Sequence, residues 1–273
     1  LKHNLNEQAW DGEWFRRAYF DDGTPLGSKE NDECRIDAIA QSWAILSGGG
    51  DPDKSRTALE NAGKYLIKKE EKIIQLLDPP FDHSTLNPGY IKGYVPGVRE
   101  NGGQYTHAAI WMIMAYAVLR EKEKMWELLN MINPIHHSSD NDFMRQYKVE
   151  PYVVAADIYA TPNHKGRGGW TWYTGSAGWM YQLIIEYVLG LKREADFLIL
   201  QPCLPSHWET VTVRFRYNSS TYSIQMHQQS NEQDQVTISV DDFELENNRI
   251  QLIDDGKEHV VEVKIGEEVK VKS

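Results

Sequence analysis

The sequence predicts a mainly α fold followed by a β region. Three observations carry this. Apolar residues recur at helical spacing through most of the first two hundred positions. From Phe197 the period changes to strict alternation of apolar and polar residues. All 9 tryptophans fall at or before Trp208, which marks a change of composition along the chain. The division is drawn at residues 1–196, helical, and 197–273, read as an antiparallel β-sandwich.

The elements follow in order. Asp32 to Ser47 places Ile36, Ile39, Ala40, Trp43 and Leu46 on one face and predicts a helix that Gly48-Gly49-Gly50 ends. Asp51-Pro52 starts a second, running to about Leu77, with Asp78-Pro79-Pro80 as its stop. The charged stretch Lys68 to Lys72 reads as a solvated face of that helix. Gln104 to Arg120 is apolar nearly all round and predicts a buried helix, with Glu121 to Ile132 as a short amphipathic partner. Ser176 to Leu191 predicts a further buried helix. Helix pairs of this kind suggest an antiparallel helical array or part of an α/α barrel. Gln201 to Pro205 connects to the β region. Its strands are expected at Thr210 to Phe215, Tyr222 to Met226, Gln235 to Val240, Ile250 to Ile253 and Val260 to Ile265.

Composition narrows the function. The chain has 273 residues, and 29 Lys and Arg stand against 40 Asp and Glu, a formal charge of -11. Such a surface argues against nucleic acid or an anionic membrane as the main partner. No apolar run approaches the ~20 residues that span a bilayer. Leu1 to Trp10 is polar and lacks a signal-peptide pattern, though a chain starting at Leu is expected to be cut from a longer one. The 2 cysteines, Cys34 and Cys203, lie far apart and read as reduced buried thiols, which suits a cytoplasmic protein. His136 and His137 are adjacent, so on a helix they diverge by ~100° and hold no metal together. No metal or cofactor is expected.

Three loop stretches bear chemistry. Trp10 to Gly27 is dense in aromatics, carboxylates and arginines: rings stack on the C–H faces of sugars while charged groups grip hydroxyls. A packed loop with internal salt bridges explains the same residues equally well. Tyr90 to His107 contains Arg99-Glu100-Asn101-Gly102-Gly103 and places His107 in the first turn of the buried helix. His107 is either a structural hydrogen-bonder or a donor to an anion drawn to the free N–H groups of that helix start. Gly166 to Trp179 places Thr174-Gly175-Ser176 at another helix start, where Gly175 lets an oxyanion approach the backbone. Trp170 and Trp172 line the same pocket or pack in the core. Two helix starts converging on one anion beside a sugar-like surface suggest phosphate acting on a glycoside.

The stretches WDGEWFRRAYFDDGTPLGS, VRENGGQYTHAAIW and WTWYTGSAGWM closely resemble the inverting glycoside phosphorylases of family GH94, above all their β-1,2-glucan branch, over roughly residues 1 to 205. The resemblance implies part of an (α/α)6 barrel followed by the family's C-terminal β domain. It implies phosphorolysis of β-linked gluco-oligosaccharides, with inorganic phosphate as co-substrate, giving α-glucose 1-phosphate with inversion. Phosphate is already an anionic nucleophile, so one carboxylic acid suffices. Carried over by motif, His107 and Thr174 contact phosphate through side chains and Gly175 through its N–H. Arg99 and Glu100 lie near the leaving saccharide, and Trp10, Asp11, Arg16 and Trp172 are further sugar-site candidates. The family's general-acid Asp sits in a DWND-like motif that does not occur here, so it is expected upstream of Leu1, on another half of the enzyme. The isolated chain is then expected to be inactive and to self-associate through uncovered helix faces. A different reading makes it a non-catalytic glycan-binding or structural region of a cyclic β-1,2-glucan synthase.

Overall fold

The computed structural model describes residues 1–172, 174–229 and 235–266, with the backbone alone at Thr174. Packing divides the chain into two compact units, Leu1–Tyr181 and Gln182–Ser273. The change of residue period comes later, at Phe197. The architecture is mixed, helices dominating the first unit and strands the second.

The first unit holds α1 (Lys2–Gln8), α2 (Ala38–Leu46), α3 (Pro52–Leu66), α4 (Thr106–Val118), α5 (Lys122–Ile132), α6 (Asn141–Tyr147) and most of α7 (Thr174–Gln182). Helix α4 is the centre, with Ala108 to Ile110 and Met112 to Ala115 at 0–1% exposure, and it packs on α2, α3 and α5. A helix apolar on nearly every face has nowhere else to go.

Three expectations are corrected here. Helix α2 starts at Ala38 rather than Asp32, because Ile36–Asp37 pairs with Leu77–Asp78 and the Asp37 carboxylate caps the helix at the N–H groups of Ile39 and Ala40. Its buried face is Ala38, Gln41, Ser42, Ala44 and Ile45, while Trp43 is 39% exposed and meets Trp111 edge-on. Gln41 is drawn inward because its amide exchanges two hydrogen bonds with the backbone of Phe15.

Helix α3 stops at Leu66, not near Leu77. Asp51 caps its start as expected, but Ile67–Lys68 and Ile73–Ile74 form a hairpin. Ile67, Ile73 and Ile74 supply buried β-branched strand residues, and the charges between them sit at the tip. Lys69 pairs with Glu127 (2.6 Å) and Glu71 with Lys165 (2.9 Å), so the stretch is solvated but not helical.

The helix after Thr174 is buried along one stripe only. Ser176, Met180, Leu183 and Val188 are covered, whereas Tyr181 and Ile184 are exposed, and Leu183–Val188 is π-helical.

The second unit contains β1 (Leu191–Glu194), β2 (Phe197–Leu200), β3 (Thr210–Tyr217), β4 (Ser220–Gln228), β5 (Val236–Val240), β6 (Phe243–Glu244), β7 (Arg249–Gln251) and β8 (Glu258–Ile265). One sheet runs β7-β2-β1 and is antiparallel. The other runs β3-β4-β8-β5-β6. In it β4 and β8 are parallel, from Thr221 beside Glu258 to Gln228 beside Ile265, which corrects the expectation of a wholly antiparallel arrangement. Leu198, Leu200 and Ile250 from the first sheet join Tyr222, Ile224, Met226, Ile238, Val261 and Val263 from the second in one core. Strand β8 alternates exposed and buried along its length, so period two was the right signal. Cys34 and Cys203 are buried and not joined in a disulfide. Among the described residues no helix is long and apolar enough to cross a membrane.

Candidate active site

The site is built on the loop before α4. Asn101 is fully buried and fixes this loop, its side-chain N–H groups donating to the carbonyls of Phe81 and Tyr94 and its oxygen accepting from Phe81 N. Asn101 N donates to Val98 O across a tight turn, which leaves Arg99 and Glu100 at the tip with Arg99 at φ 51.

The Arg99 guanidinium lies 3.6 Å from the centre of the Trp170 ring and 5.4 Å from that of Tyr94. Its Nε is 3.5 Å from Glu100 Oε2. Yet Arg99 Nε, Arg99 Nη1 and Glu100 Oε2 are buried and make no hydrogen bond within the described residues. Charged atoms removed from water without hydrogen bonds are costly.

Asp157 extends this group, and the sequence reading missed it. It is fully buried; Oδ1 accepts from Trp170 N (3.0 Å) and Oδ2 has no partner. Burial pushes its pKa above the ordinary carboxylate value, and the Arg99 charge opposes that. A Cβ at Gly169 would lie 2.3 Å from the carboxylate, so only glycine permits this approach. The signal in the sequence is a lone Asp inside the otherwise apolar run Ala155 to Ala160, in a segment whose backbone meets Gly168-Gly169.

His107 is the second residue of α4, whose start has no side-chain cap. Its ring stacks on Tyr105 (4.9 Å, 17°) and meets Trp111 edge-on. Nδ1 is buried without a partner. Burial holds the imidazole pKa below its ordinary value, so the ring is neutral at pH 7. Gly175, the second residue of α7, lies directly against it: a Cβ there would be 2.6 Å from His107 Nε2. The first turns of two helices therefore meet, each the positive end of a helix dipole. The Thr174 side chain and Tyr173 lie outside the described residues.

The remaining candidates sit elsewhere. Trp10 meets Phe15 edge-on with Lys54 Nζ 5.7 Å from its centre. Asp11 Oδ2 accepts from Ser28 Oγ (3.0 Å) and Lys29 N (2.9 Å). Arg16 Nη1 donates to Gln8 O and Tyr19 Oη. These three hold a loop whose Trp14 and Phe15 are core residues, and these contacts lie within residues 8–54 rather than around Arg99 or His107. Trp172 is exposed, at φ 61, and its indole N–H donates to Glu150 Oε1 at 3.4 Å. His136 faces solvent and donates to Asn130 O, while His137 is buried against Tyr147.

Comparison with known proteins adds to this geometry. The model of the glycosyl hydrolase 94 superfamily catalytic domain matches residues 1–190. The cyclic beta-(1,2)-glucan synthase NdvB of Rhizobium meliloti (strain 1021) is 49% identical over 230 residues, which cover 84% of this chain and 8% of that protein. The solabiose phosphorylase of Paenibacillus borealis is 28% identical over 265 residues, covering 96% of this chain and 34% of that enzyme. The 1,2-beta-oligoglucan phosphorylase of Listeria innocua serovar 6a is 35% identical over 121 residues, covering 39% of this chain and 11% of that enzyme. The chain thus spans about a third or less of the length of these relatives.

Proposed function

The chain belongs to the glycosyl hydrolase 94 superfamily, and on that footing we propose that its first unit forms the phosphate- and saccharide-holding wall of an inverting glycoside phosphorylase. In this reading the helices belong to an (α/α)6 barrel and the second unit is the family's C-terminal β-sandwich domain. The substrates are inorganic phosphate and a β-linked gluco-oligosaccharide, with β-1,2-glucan favoured by the likeness to a cyclic beta-(1,2)-glucan synthase and a 1,2-beta-oligoglucan phosphorylase.

The observation that carries the proposal is the approach of Gly175 to His107 Nε2. A neutral imidazole N–H and the positive ends of two helix dipoles suit a phosphate oxyanion. Thr174 adds a hydroxyl. Phosphate so held attacks the anomeric carbon from the face opposite the glycosidic oxygen. The new C–O bond goes to phosphate, the old one breaks, and the departing oxygen takes a proton from a carboxylic acid. Arg99, Glu100 and Trp172 hold the departing saccharide, while Trp10, Asp11 and Arg16 brace the separate loop that carries Trp14 and Phe15. The acid is assigned to no residue of this chain, and a segment of a longer enzyme supplies it.

The test is a phosphorolysis assay. The chain, alone and together with the missing barrel half of a relative, is incubated with phosphate and β-1,2-gluco-oligosaccharides, and α-glucose 1-phosphate is measured. Product from the combination and none from the chain alone supports the proposal; product from neither, with no binding of phosphate, refutes it. The 49% identity to a cyclic glucan synthase favours a second reading, a glycan-binding region without turnover. Glycan affinity without phosphate affinity would select it.

A further inference from the structure

The contact of His107 with Gly175 is backed by a second one, a helical turn further along. His107 and Gly175 are each the second residue of their helices, and Trp111 and Trp179 follow them by four. At that spacing each tryptophan shares a helix face with the residue before it. The rings of Trp111 and Trp179 meet edge-on, 5.4 Å between centres and at 90°. Helices α4 and α7 are thus joined twice, by His107 with Gly175 in the first turn and by two indoles in the second.

A third indole supports the pair. Trp43, like the other two the sixth residue of its helix, meets Trp111 at 5.5 Å and 71°. One ring from each of α2, α4 and α7 therefore forms a row, and Trp111 at its middle also meets the His107 ring edge-on at 6.3 Å. Trp111 Nε1 is buried and makes no hydrogen bond within the described residues. A buried indole usually finds a partner for its N–H, so this ring is placed by packing and not by a polar bond. Edge-on aromatic pairs favour a definite separation and angle, which flexible aliphatic side chains do not. The row therefore sets how far apart the starts of α4 and α7 stand.

We propose that Trp111 and Trp179 are positioning residues for phosphate: they hold α4 and α7 at the separation that lets His107 and Gly175 share one oxyanion, with Trp43 as their support. This rests on the phosphorylase reading above. Neither indole is assigned a contact with phosphate, and the effect of each runs through the spacing of the helices.

The test is calorimetric titration of the 273-residue chain with inorganic phosphate and, separately, with a β-1,2-gluco-oligosaccharide. Trp111→Leu and Trp179→Leu should each weaken phosphate binding roughly tenfold and leave saccharide affinity unchanged. The double variant should lose little more than either single one, because both break the same contact. Trp111→Phe keeps an aromatic edge and has no N–H bond to lose, so its phosphate affinity should stay within about threefold of the wild type. Trp43→Leu alters the row at its partly exposed end and keeps the test open if the central variants fail to fold; it should weaken phosphate binding roughly threefold. Phosphate affinity unchanged in the Leu variants, or losses that add in the double variant, overturns the positioning role and leaves the phosphorylase reading intact. A wild type that binds no phosphate removes that reading, and the positioning role with it.

Discussion

Gly175 lies so close to the His107 imidazole that a single methyl group at that position would be 2.6 Å from Nε2. The contact joins the first turns of α4 and α7, two helices whose starts are far apart in sequence. Gly175 is helical and not at positive φ, so alanine suits its backbone and raises helix propensity by up to about 1 kcal/mol. Gly175→Ala should therefore set that gain against a displaced His107 ring, leaving thermal stability within about 1 kcal/mol of the wild type while weakening phosphate binding by roughly tenfold or more. Calorimetric phosphate titration beside a melting curve separates the two effects. Unchanged phosphate affinity would remove this corner from the site.

Asp157 is the support beneath Arg99. It holds the Trp170 backbone, and the Trp170 ring covers the guanidinium. Asp157→Asn keeps the acceptor for Trp170 N–H but removes the charge. Saccharide affinity should fall roughly tenfold with phosphate affinity unchanged, the loss of one charge-assisted contact. Gly169→Ala drives a methyl group into the same carboxylate and should cost about 2 kcal/mol of stability or more. Oligosaccharide titration and urea unfolding read these outcomes.

The Arg17–Asp37 pair should be the most sensitive polar contact near α2. Arg17 Nη1 meets both Asp37 oxygens at 2.9 Å, and the same carboxylate caps the helix. The Asp37 charge raises the Arg17 pKa above its ordinary value. Asp37 is almost fully buried, so Arg17→Met, which strands that carboxylate, should cost about 3 kcal/mol. Asp37→Ala should cost a similar amount, including about 1 kcal/mol of lost capping. Chemical denaturation of both variants measures this, and a loss below 1 kcal/mol for each would show that the pair adds little.

Two histidines should give the two units opposite responses to pH. His137 is buried against Tyr147 with Nε2 unpartnered, and burial lowers its pKa to about 4. Below pH 6.5 the unfolded chain takes up this proton and the folded one does not, so the first unit loses about 3 kcal/mol as pH falls from 6.5 to 4. His137→Phe should flatten that limb. His259 is different: its Nδ1 is 2.7 Å from Asp241 and its Nε2 3.2 Å from Asp255, and the bond to Asp241 chiefly raises its pKa. Asp255 also meets Lys257, and Tyr222 stacks on the imidazole. The stabilisation is full below the ordinary His value and is lost as pH rises through the raised one. It persists toward acid because Asp241 and Asp255 are themselves held low, Asp255 to about 2. Raising pH from 5 to 8 should thus strengthen the first unit and weaken the second. Calorimetry of wild type, His137→Phe and His259→Gln across that range checks the signs.

Legibility in the sequence followed the range of the forces involved. Helix α4 was readable because an all-round apolar segment has one outcome, and β3, β4 and β8 because alternation records one buried face. The face of α2 was not, since Gln41 goes inward for a backbone 26 residues away. The end of α3 was not, because the charges between Lys68 and Lys72 suit a helix surface and a hairpin tip alike. In the site, the stretches around His107 and Gly175 were singled out from their own residues, and the structure brings the two together. Asp157 escaped because its significance lies in what surrounds it: an orphaned oxygen, a bare Gly169 and the Arg99 charge.

The central place of β8 bears on how the second unit is made. The strand that comes last of the eight lies between β4 and β5 and carries Val261 and Val263 into the middle of the core. As the ribosome releases the chain, β4 has no neighbour on one side until Glu258–Ile265 has emerged. The sheet cannot be assembled hairpin by hairpin; it must wait and then close around its final member. During that interval the edges of β4 and β5 are open to other chains, so the hazard of misassembly is greatest just before Glu258–Ile265 emerges.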